Sequence, residues 1–339
     1  MVVFFSYSAL IFVTQNFYVY LLVLTHNNLI KNVCNGKFRG SSIHQSNRTK
    51  LHCLLIDNDN PYLTIGPFKF EIKNIEPFRT VIHDFLTPFE MDRIEMKIRP
   101  QLTYEKSQSL LIYSGSSEAS IPDNYKAATI YFEELASDEI KQTGQHPKKS
   151  AENETFLTNM EKLAPDKQRV MAGITQRIQL ASYLIIGKDD RKGEFRASIY
   201  GLGGMTEQHG DAYGVEDNTK MDKLYTDYLT AGDVIATMIL WLTNVPLGGG
   251  TYFCSKQFED VVTPEKGSAL LWINLKASGF QDHRQNHGGC PVAEGNKFSV
   301  TKWFLHYYQW KRFPCDMSKD MMINVGEILH PITTKNTTP

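Results

Sequence analysis

The chain has 339 residues, 42% of them hydrophobic and 22% charged, which is ample for a buried core and leaves room for about one to three domains. A formal net charge of −1 excludes the strongly basic surface that nucleic-acid binding demands. An aromatic share of 12% excludes disorder over most of the chain.

Val2 to Leu24 carry no charged side chain, and apolar and aromatic residues dominate. The length suits a secretory signal over residues 1–30, with a weak membrane anchor or a misassigned first exon as the alternatives. No basic residue precedes the run, and Lys31 and Arg39 follow it. Residues 31–65 are polar and turn-rich and are expected to be an irregular lead-in. Phe68 to Phe85 alternates and predicts two short strands. Thr87-Pro88-Phe89-Glu90 then opens a helix: Thr87 caps, Pro88 fits the first turn, and Glu90 completes a capping box. Met91, Ile94 and Ile98 share one face, and the helix stops before Pro100. Tyr125 to Leu135 predicts a strand running into a turn. Residues 137–167 have few apolar anchors and are expected to form a mobile surface insertion. Helical spacing resumes over Lys167 to Leu184, with Val170, Ile174, Ile178 and Tyr183 near one face.

From Phe195 onward short apolar runs alternate with turns containing Gly, Asn and Pro. Ser198–Tyr200, Ile235–Leu242, Thr251–Phe253, Ser268–Ile273 and Phe298–Tyr307 are the predicted strands. Several strands at such spacing indicate a sandwich or barrel. Helices first and a β region second make an α+β chain, with the helices packed on one sheet. A C-terminal tail follows residue 315.

The chemistry concentrates around Gln208-His-Gly-Asp-Ala-Tyr-Gly214. Residues two apart on a strand share a face, so His209 and Asp211 would enter one cavity. An imidazole and a carboxylate need a third ligand, and His283, His287, His306 and His330 are the candidates. Two histidines and one carboxylate on one face of an octahedral ion leave positions open, which suits non-haem Fe(II). His287 stands out because Lys297 follows ten residues later and opens the last strong strand. There Lys297, Ser299, Thr301 and Trp303 share one face, while Lys302 joins Phe298, Val300 and Phe304 on the other. A lysine at the edge of a metal cavity can pair with a carboxylate of a small acid. His-x-Asp alone is a weak signal, and a turn histidine with a solvated lysine is its bland counterpart.

The blocks Tyr200-Gly-Leu-Gly-Gly-Met-Thr-Glu-Gln-His209-Gly-Asp211, Ile235-Ala-Thr237, Gly248-Gly-Gly-Thr251, Pro264-Glu-Lys-Gly267 and Leu271-Trp-Ile-Asn274 resemble the collagen prolyl 4-hydroxylase α subunit. So do His287-Gly-Gly-Cys290-Pro-Val, Gly295-Asn-Lys297, Lys302-Trp303 and Arg312-Phe-Pro-Cys315. The likeness covers roughly residues 34 to 315, with the catalytic domain placed at 66–315, and resembles the short forms of the family. It implies an Fe(II)- and 2-oxoglutarate-dependent dioxygenase on a double-stranded β-helix, or jelly roll. By resemblance His209, Asp211 and His287 are the iron ligands, Lys297 binds the distal carboxylate of 2-oxoglutarate, and Tyr200 lines the cosubstrate pocket. Trp303 and Thr206 fall at pocket positions. The family couples decarboxylation of 2-oxoglutarate to proline hydroxylation, uses O₂ and ascorbate, and has protein disulfide isomerase as a partner subunit.

The five cysteines are Cys34, Cys53, Cys254, Cys290 and Cys315. Local pairs could close disulfide loops in an oxidising compartment, and the resemblance implies Cys34–Cys53 and Cys290–Cys315. Cys254 is left over as a free thiol. Sequons at Asn47, Asn153 and Asn336 fit an endoplasmic reticulum lumen setting.

Three departures bear on the substrate. Thr206 stands where the family usually has tyrosine, Gly210 where it often has phenylalanine, and Gly214 where it has a basic residue. The expected substrate is a collagen-like or other proline-rich chain. The competing readings are a dioxygenase for another residue or small molecule, an inactive binding subunit, and a metal hydrolase, against which Lys297 argues.

Overall fold

The computed structural model describes residues 34, 52–57, 60, 63, 65–99, 104–105, 127–132, 166–186, 195–213, 232–255, 258–313 and 316–323. The candidate leader, the 137–165 part of the insertion, Gly214, His330, Cys315 and the three sequons lie outside them. Among the described residues no helix is long and apolar enough to cross a membrane.

The strands in chain order are β1 (His52–Ile56), β2 (Phe68–Asn74), β3 (Arg79–His83), β4 (Tyr104–Glu105), β5 (Ala127–Phe132), β6 (Phe195–Tyr200), β7 (Thr206–His209) and β8 (Val234–Trp241). They continue with β9 (Leu247–Gly248), β10 (Thr251–Ser255), β11 (Phe258–Val262), β12 (Ala269–Ile273), β13 (His287–Gly289), β14 (Val292–Glu294) and β15 (Lys297–Leu305). Among the described residues, α1 (Pro88–Ile98) and α2 (Asp166–Ser182) interrupt them. A nine-stranded sheet runs β1-β2-β3-β12-β8-β15-β6-β5-β4, a four-stranded sheet runs β11-β10-β13-β7, and β14 pairs with β9. Every pairing is antiparallel.

The large sheet has an apolar core on each face. On one face Ala197, Ile199, Phe298, Val300 and Phe304 share a cluster with Met91, Ile94 and Ile98 of α1 and Met171, Ile174 and Ile178 of α2. On the other, Val81, Trp241, Leu270 and Trp272 meet Phe253 and Val262 of the small sheet. The period of two in each strand makes this double core possible, because odd and even residues serve different layers. The two facing sheets form the expected jelly-roll core.

The helix signals read from sequence operate as written. Thr87 Oγ1 accepts from the Glu90 amide at 3.3 Å, and Glu90 Oε2 accepts from the Thr87 amide at 2.9 Å. Arg177 of α2 donates to the same Glu90 oxygen at 2.7 Å and to the Phe85 carbonyl at 3.0 Å, so one buried carboxylate ties α1 to α2. Tyr183 departs from expectation: it takes a left-handed backbone (φ 57°) just past α2 and is partly exposed, and Leu184 is buried instead.

Two further expectations are corrected. Residues 52–56 are not irregular, since β1 pairs with β2 in full register from His52↔Ile72 to Ile56↔Phe68. The cysteine pairing also differs. Cys34 is bonded to Cys290, with Cα atoms 5.8 Å apart, so neither Cys34–Cys53 nor Cys290–Cys315 forms. β1 holds Cys53 at the edge of the large sheet, exposed and free, whereas Cys290 sits immediately after β13 in the small sheet. Closeness in sequence put the wrong partners together. Cys254 is buried and takes no part in that disulfide.

Candidate metal centre and cosubstrate cavity

β7 and β13 are neighbours in the small sheet, with His287 opposite His209. That register brings the two rings to 4.5 Å between centroids. β7 ends at His209, and the chain bends through Gly210 so that Asp211 lies just beyond the strand. The three ligand atoms still converge within 4.8 Å of one another. Of the other candidate histidines, His283 and His306 lie in 3₁₀ turns outside this cluster.

Each ring is oriented by a backbone carbonyl. His209 Nδ1 sits 2.8 Å from the Glu207 carbonyl and His287 Nδ1 sits 3.0 Å from that of Gln285. Donation there leaves each Nε2 lone pair facing the cluster, the tautomer a metal ligand needs. Nε2 of His209 is 3.6 Å from Asp211 Oδ1, and Nε2 of His287 is 3.6 Å from Asp211 Oδ2. Both gaps exceed a hydrogen bond. Burial pushes the His287 imidazolium down to about 4, against the pull of Asp211 and with the help of His209 and Arg79. His287 is therefore neutral near pH 7, and its approach to Asp211 is not an ion pair. Two imidazoles and one carboxylate form a donor set suited to a divalent metal.

The cluster opens into a cavity between the sheets that is accessible to solvent. Tyr200 and Ser198 of β6, Thr237 and Ile239 of β8, and Lys297, Ser299, Thr301 and Trp303 of β15 line it. The β15 face that carries Lys297, Ser299, Thr301 and Trp303 is the one that lines the cavity. Lys302 belongs to the other face, buried with its ammonium 4.8 Å from the Phe195 ring centroid.

Lys297 lies directly across from Tyr200. It is 6% exposed, and its Nζ donates to Thr251 Oγ1 at 3.3 Å. No carboxylate pairs with it among the described residues. Burial pushes the ammonium down to about 8. A desolvated cation with one neutral partner is a receptor for an anion. Thr206 Oγ1 donates to Tyr200 Oη at 3.1 Å, and both residues line the cavity.

Several contributors escaped the sequence reading. Thr237 Oγ1 donates to Asp211 Oδ2 at 2.6 Å. Trp272 packs edge-on to His287 at 4.7 Å, and Phe253 lies 5.7 Å from the same ring. Fully buried Arg79 stands 4.0 Å over Phe253 and donates to Gln285 Oε1 at 2.7 Å and to the Arg284 carbonyl at 2.6 Å, bracing the turn that feeds β13. Gly288 is forced by contact, since a Cβ there would lie 2.4 Å from Tyr252 Oη and 2.6 Å from the Thr206 carbonyl. At Gly210 a Cβ would meet the end of the Gln281 side chain, which is held by Asn286 at 3.1 Å. The motif blocks containing Thr237, Thr251, Trp272 and Asn274 were the available signal.

Comparison with known proteins agrees with this geometry. Residues 195–305 of the chain match the family model of the 2OG-Fe(II) oxygenase superfamily. The chain is similar to the human prolyl 4-hydroxylase subunit alpha-3, 27% identical over 270 residues, covering 80% of this chain and 41% of the human one. The chicken prolyl 4-hydroxylase subunit alpha-1 is 28% identical over 290 residues, covering 85% of this chain and 47% of the relative. The chain thus spans less than half the length of these curated relatives. A solved viral collagen prolyl hydroxylase from Paramecium Bursaria Chlorella virus-1 superposes loosely, with TM-score 0.36 and 15% identity over 67% of this chain and 94% of that one.

Proposed function

We propose that the chain hydroxylates proline at C4 in a peptide, coupled to oxidative decarboxylation of 2-oxoglutarate. The carrying observation is one cavity that presents His209, Asp211 and His287 together with a buried, carboxylate-free Lys297. Similarity to prolyl 4-hydroxylase alpha subunits over 80% of the chain points to proline.

In this reading His209, Asp211 and His287 hold Fe(II), and Lys297 and Thr251 take the distal carboxylate of 2-oxoglutarate. Bound Fe(II) supplies the O₂ activation that links loss of CO₂ from 2-oxoglutarate, giving succinate, to insertion of one oxygen into a C–H bond. The protein's part is positioning. The Lys297 ammonium fixes one end of the cosubstrate, the Tyr200–Thr206 pair shapes the wall beside it, and Ile239 and Trp272 keep that wall apolar. Trp303, across β8 from Thr237, lies on the same lined face and supports the substrate side. Ascorbate completes the expected set as the reductant that maintains Fe(II).

Collagen-like or other proline-rich chains are the proposed substrates, the endoplasmic reticulum lumen the proposed compartment, and protein disulfide isomerase the proposed partner subunit. The Cys34–Cys290 disulfide supports an oxidising compartment. A second reading, another residue or a small molecule as substrate, is favoured by Gly210, because Gln281 fills the place a side chain there would occupy. The complete ligand and anchor set argues against an inactive binding subunit.

The test is turnover of purified protein with Fe(II), ascorbate and 2-oxoglutarate. A (Pro-Pro-Gly)-repeat peptide is expected to stimulate succinate release and to gain 4-hydroxyproline by mass spectrometry. Iron-bound protein with no peptide-stimulated turnover would remove the collagen-type substrate.

A further inference from the structure

We infer that Trp272, Asn274 and Thr237 form a one-way hydrogen-bond relay that holds Asp211 as a single-oxygen ligand. This rests on the reading of the triad as the iron site. Trp272 Nε1 donates to Asn274 Oδ1 at 2.7 Å, Asn274 Nδ2 donates to Thr237 Oγ1 at 2.8 Å, and Thr237 Oγ1 donates to Asp211 Oδ2 at 2.6 Å. All three relay residues are buried, Trp272 completely, Thr237 at 1% and Asn274 at 3% exposure.

The polarity of this chain follows from chemistry. An indole N–H can only donate, so the oxygen of the Asn274 amide must face Trp272. The amide nitrogen then faces Thr237 and fills a lone pair of its hydroxyl. A threonine hydroxyl has one hydrogen, and an ionised carboxylate can only accept. The hydrogen of Thr237 is thereby committed to Asp211 Oδ2. The other oxygen, Oδ1, receives nothing from the relay; it lies 3.6 Å from His209 Nε2, as Oδ2 lies 3.6 Å from His287 Nε2.

The framework carrying the relay is fixed by strand pairing. Trp272 of β12 and Trp303 of β15 flank Thr237 of β8 in direct register. Asn274, just past β12, is pinned through its backbone: its amide donates to the Ile235 carbonyl at 2.7 Å and its carbonyl accepts from the Asp282 amide at 2.9 Å. Asp211 itself lies beyond the end of β7, outside the ladder that pairs β7 with β13. The relay acts on its side chain directly. A carboxylate free to rotate could place both oxygens on a metal and consume a coordination position that the cosubstrate or O₂ requires. With Oδ2 held by Thr237, Oδ1 would be the oxygen offered to a metal, and that position would stay open. Thr237 is the positioning residue, and Asn274 sets its direction.

Co(II) titration of the metal-free protein tests this without turnover, since the intensity of the visible d–d bands reports coordination number. Thr237→Val keeps the shape and removes the donor. It is expected to weaken Co(II) binding about 10- to 100-fold and to change the band intensity, with Thr237→Ser restoring both. Asn274→Asp is the sharper variant, because its new carboxylate draws the Thr237 hydrogen away from Asp211. It should reproduce the Thr237→Val spectrum with Thr237 still present. Wild-type affinity and spectrum in Thr237→Val would overturn the relay while leaving the metal site standing. Failure of the wild-type protein to bind Co(II), with His287→Ala behaving identically, would overturn the metal reading and the relay with it.

Discussion

Two lysines on β15 are five residues apart and both nearly fully buried, yet they belong to different layers. Lys297 points into the cavity and meets a single hydroxyl. Lys302 points to the helix side and lies over the Phe195 ring, among Phe298, Val300 and Phe304. Burial alone does not distinguish them. What does is the company on each face of the strand: hydroxyls, an indole and a metal-type cluster on one side, aromatic and aliphatic packing on the other. One face of β15 lines the cavity and the alternate face packs against the helices, and substitutions at the two lysines should separate accordingly.

The largest effect belongs to the cavity face of the small sheet. His287→Ala removes a ligand and should lower peptide-dependent succinate formation more than about 100-fold, the upper range for changes one shell further out. Far-ultraviolet circular dichroism should stay the same. Retained activity would break the assignment of His287.

Lys297→Ala comes next. Truncating one partner of a buried charge pair costs about 2–5 kcal/mol, so KM for 2-oxoglutarate should rise at least about 30-fold, with metal affinity unchanged. Lys302→Ala is its counterpart. It should cost about 2 kcal/mol in denaturant unfolding through lost stem burial and its contact with Phe195, and leave that KM alone. If both variants changed KM equally, the division between faces would fail.

pH sharpens the same contrast. Burial lowers the Lys297 ammonium to about 8, and the protonated form is the one that binds a carboxylate. Protonation is complete well below that value and lost above it. kcat/KM for 2-oxoglutarate should therefore fall about tenfold per pH unit once pH rises past about 8. Lys297→Arg, which stays charged, should abolish that fall even if its affinity is lower.

The smallest effect lies on the helix side. Burial raises the Glu90 carboxyl, but Arg177 and Thr87 outweigh it and hold the group below its usual value. Its stabilising contribution is present above the ordinary carboxylate pKa and is lost as pH falls through the lowered one. Glu90→Gln should cost about 1–3 kcal/mol at pH 7, with the deficit shrinking in acid and turnover parameters unchanged.

Much of this division was legible in the residues, for physical reasons. β15 spans nine residues, long enough for its alternation to separate Lys297 from Lys302 before any partner is known. The α1 boundary was legible because Thr87, Pro88 and Glu90 act within a single turn. β9, β13 and β14 were not, since strands of two or three residues exist only through their neighbours and carry no periodicity of their own. The Cys34–Cys290 bond spans 256 residues, and nothing in local spacing points to it. The role of Thr237 depends on the register between β8 and β12, which fixes what a hydroxyl can reach. The triad was found because His209 and Asp211 are two apart and His287 carries a motif block. The residues that orient it come from other strands.

The central claim is that one cavity holds iron at one site and the distal carboxylate of 2-oxoglutarate at Lys297. Anaerobic titration of Fe(II)-loaded protein with 2-oxoglutarate, followed by the visible charge-transfer absorption of the chelate, tests it most directly. The account predicts a saturable band in the wild-type protein and the same band in Lys297→Ala, requiring at least about 30-fold more 2-oxoglutarate. No band in wild-type protein, or equal saturation in the two, would contradict it.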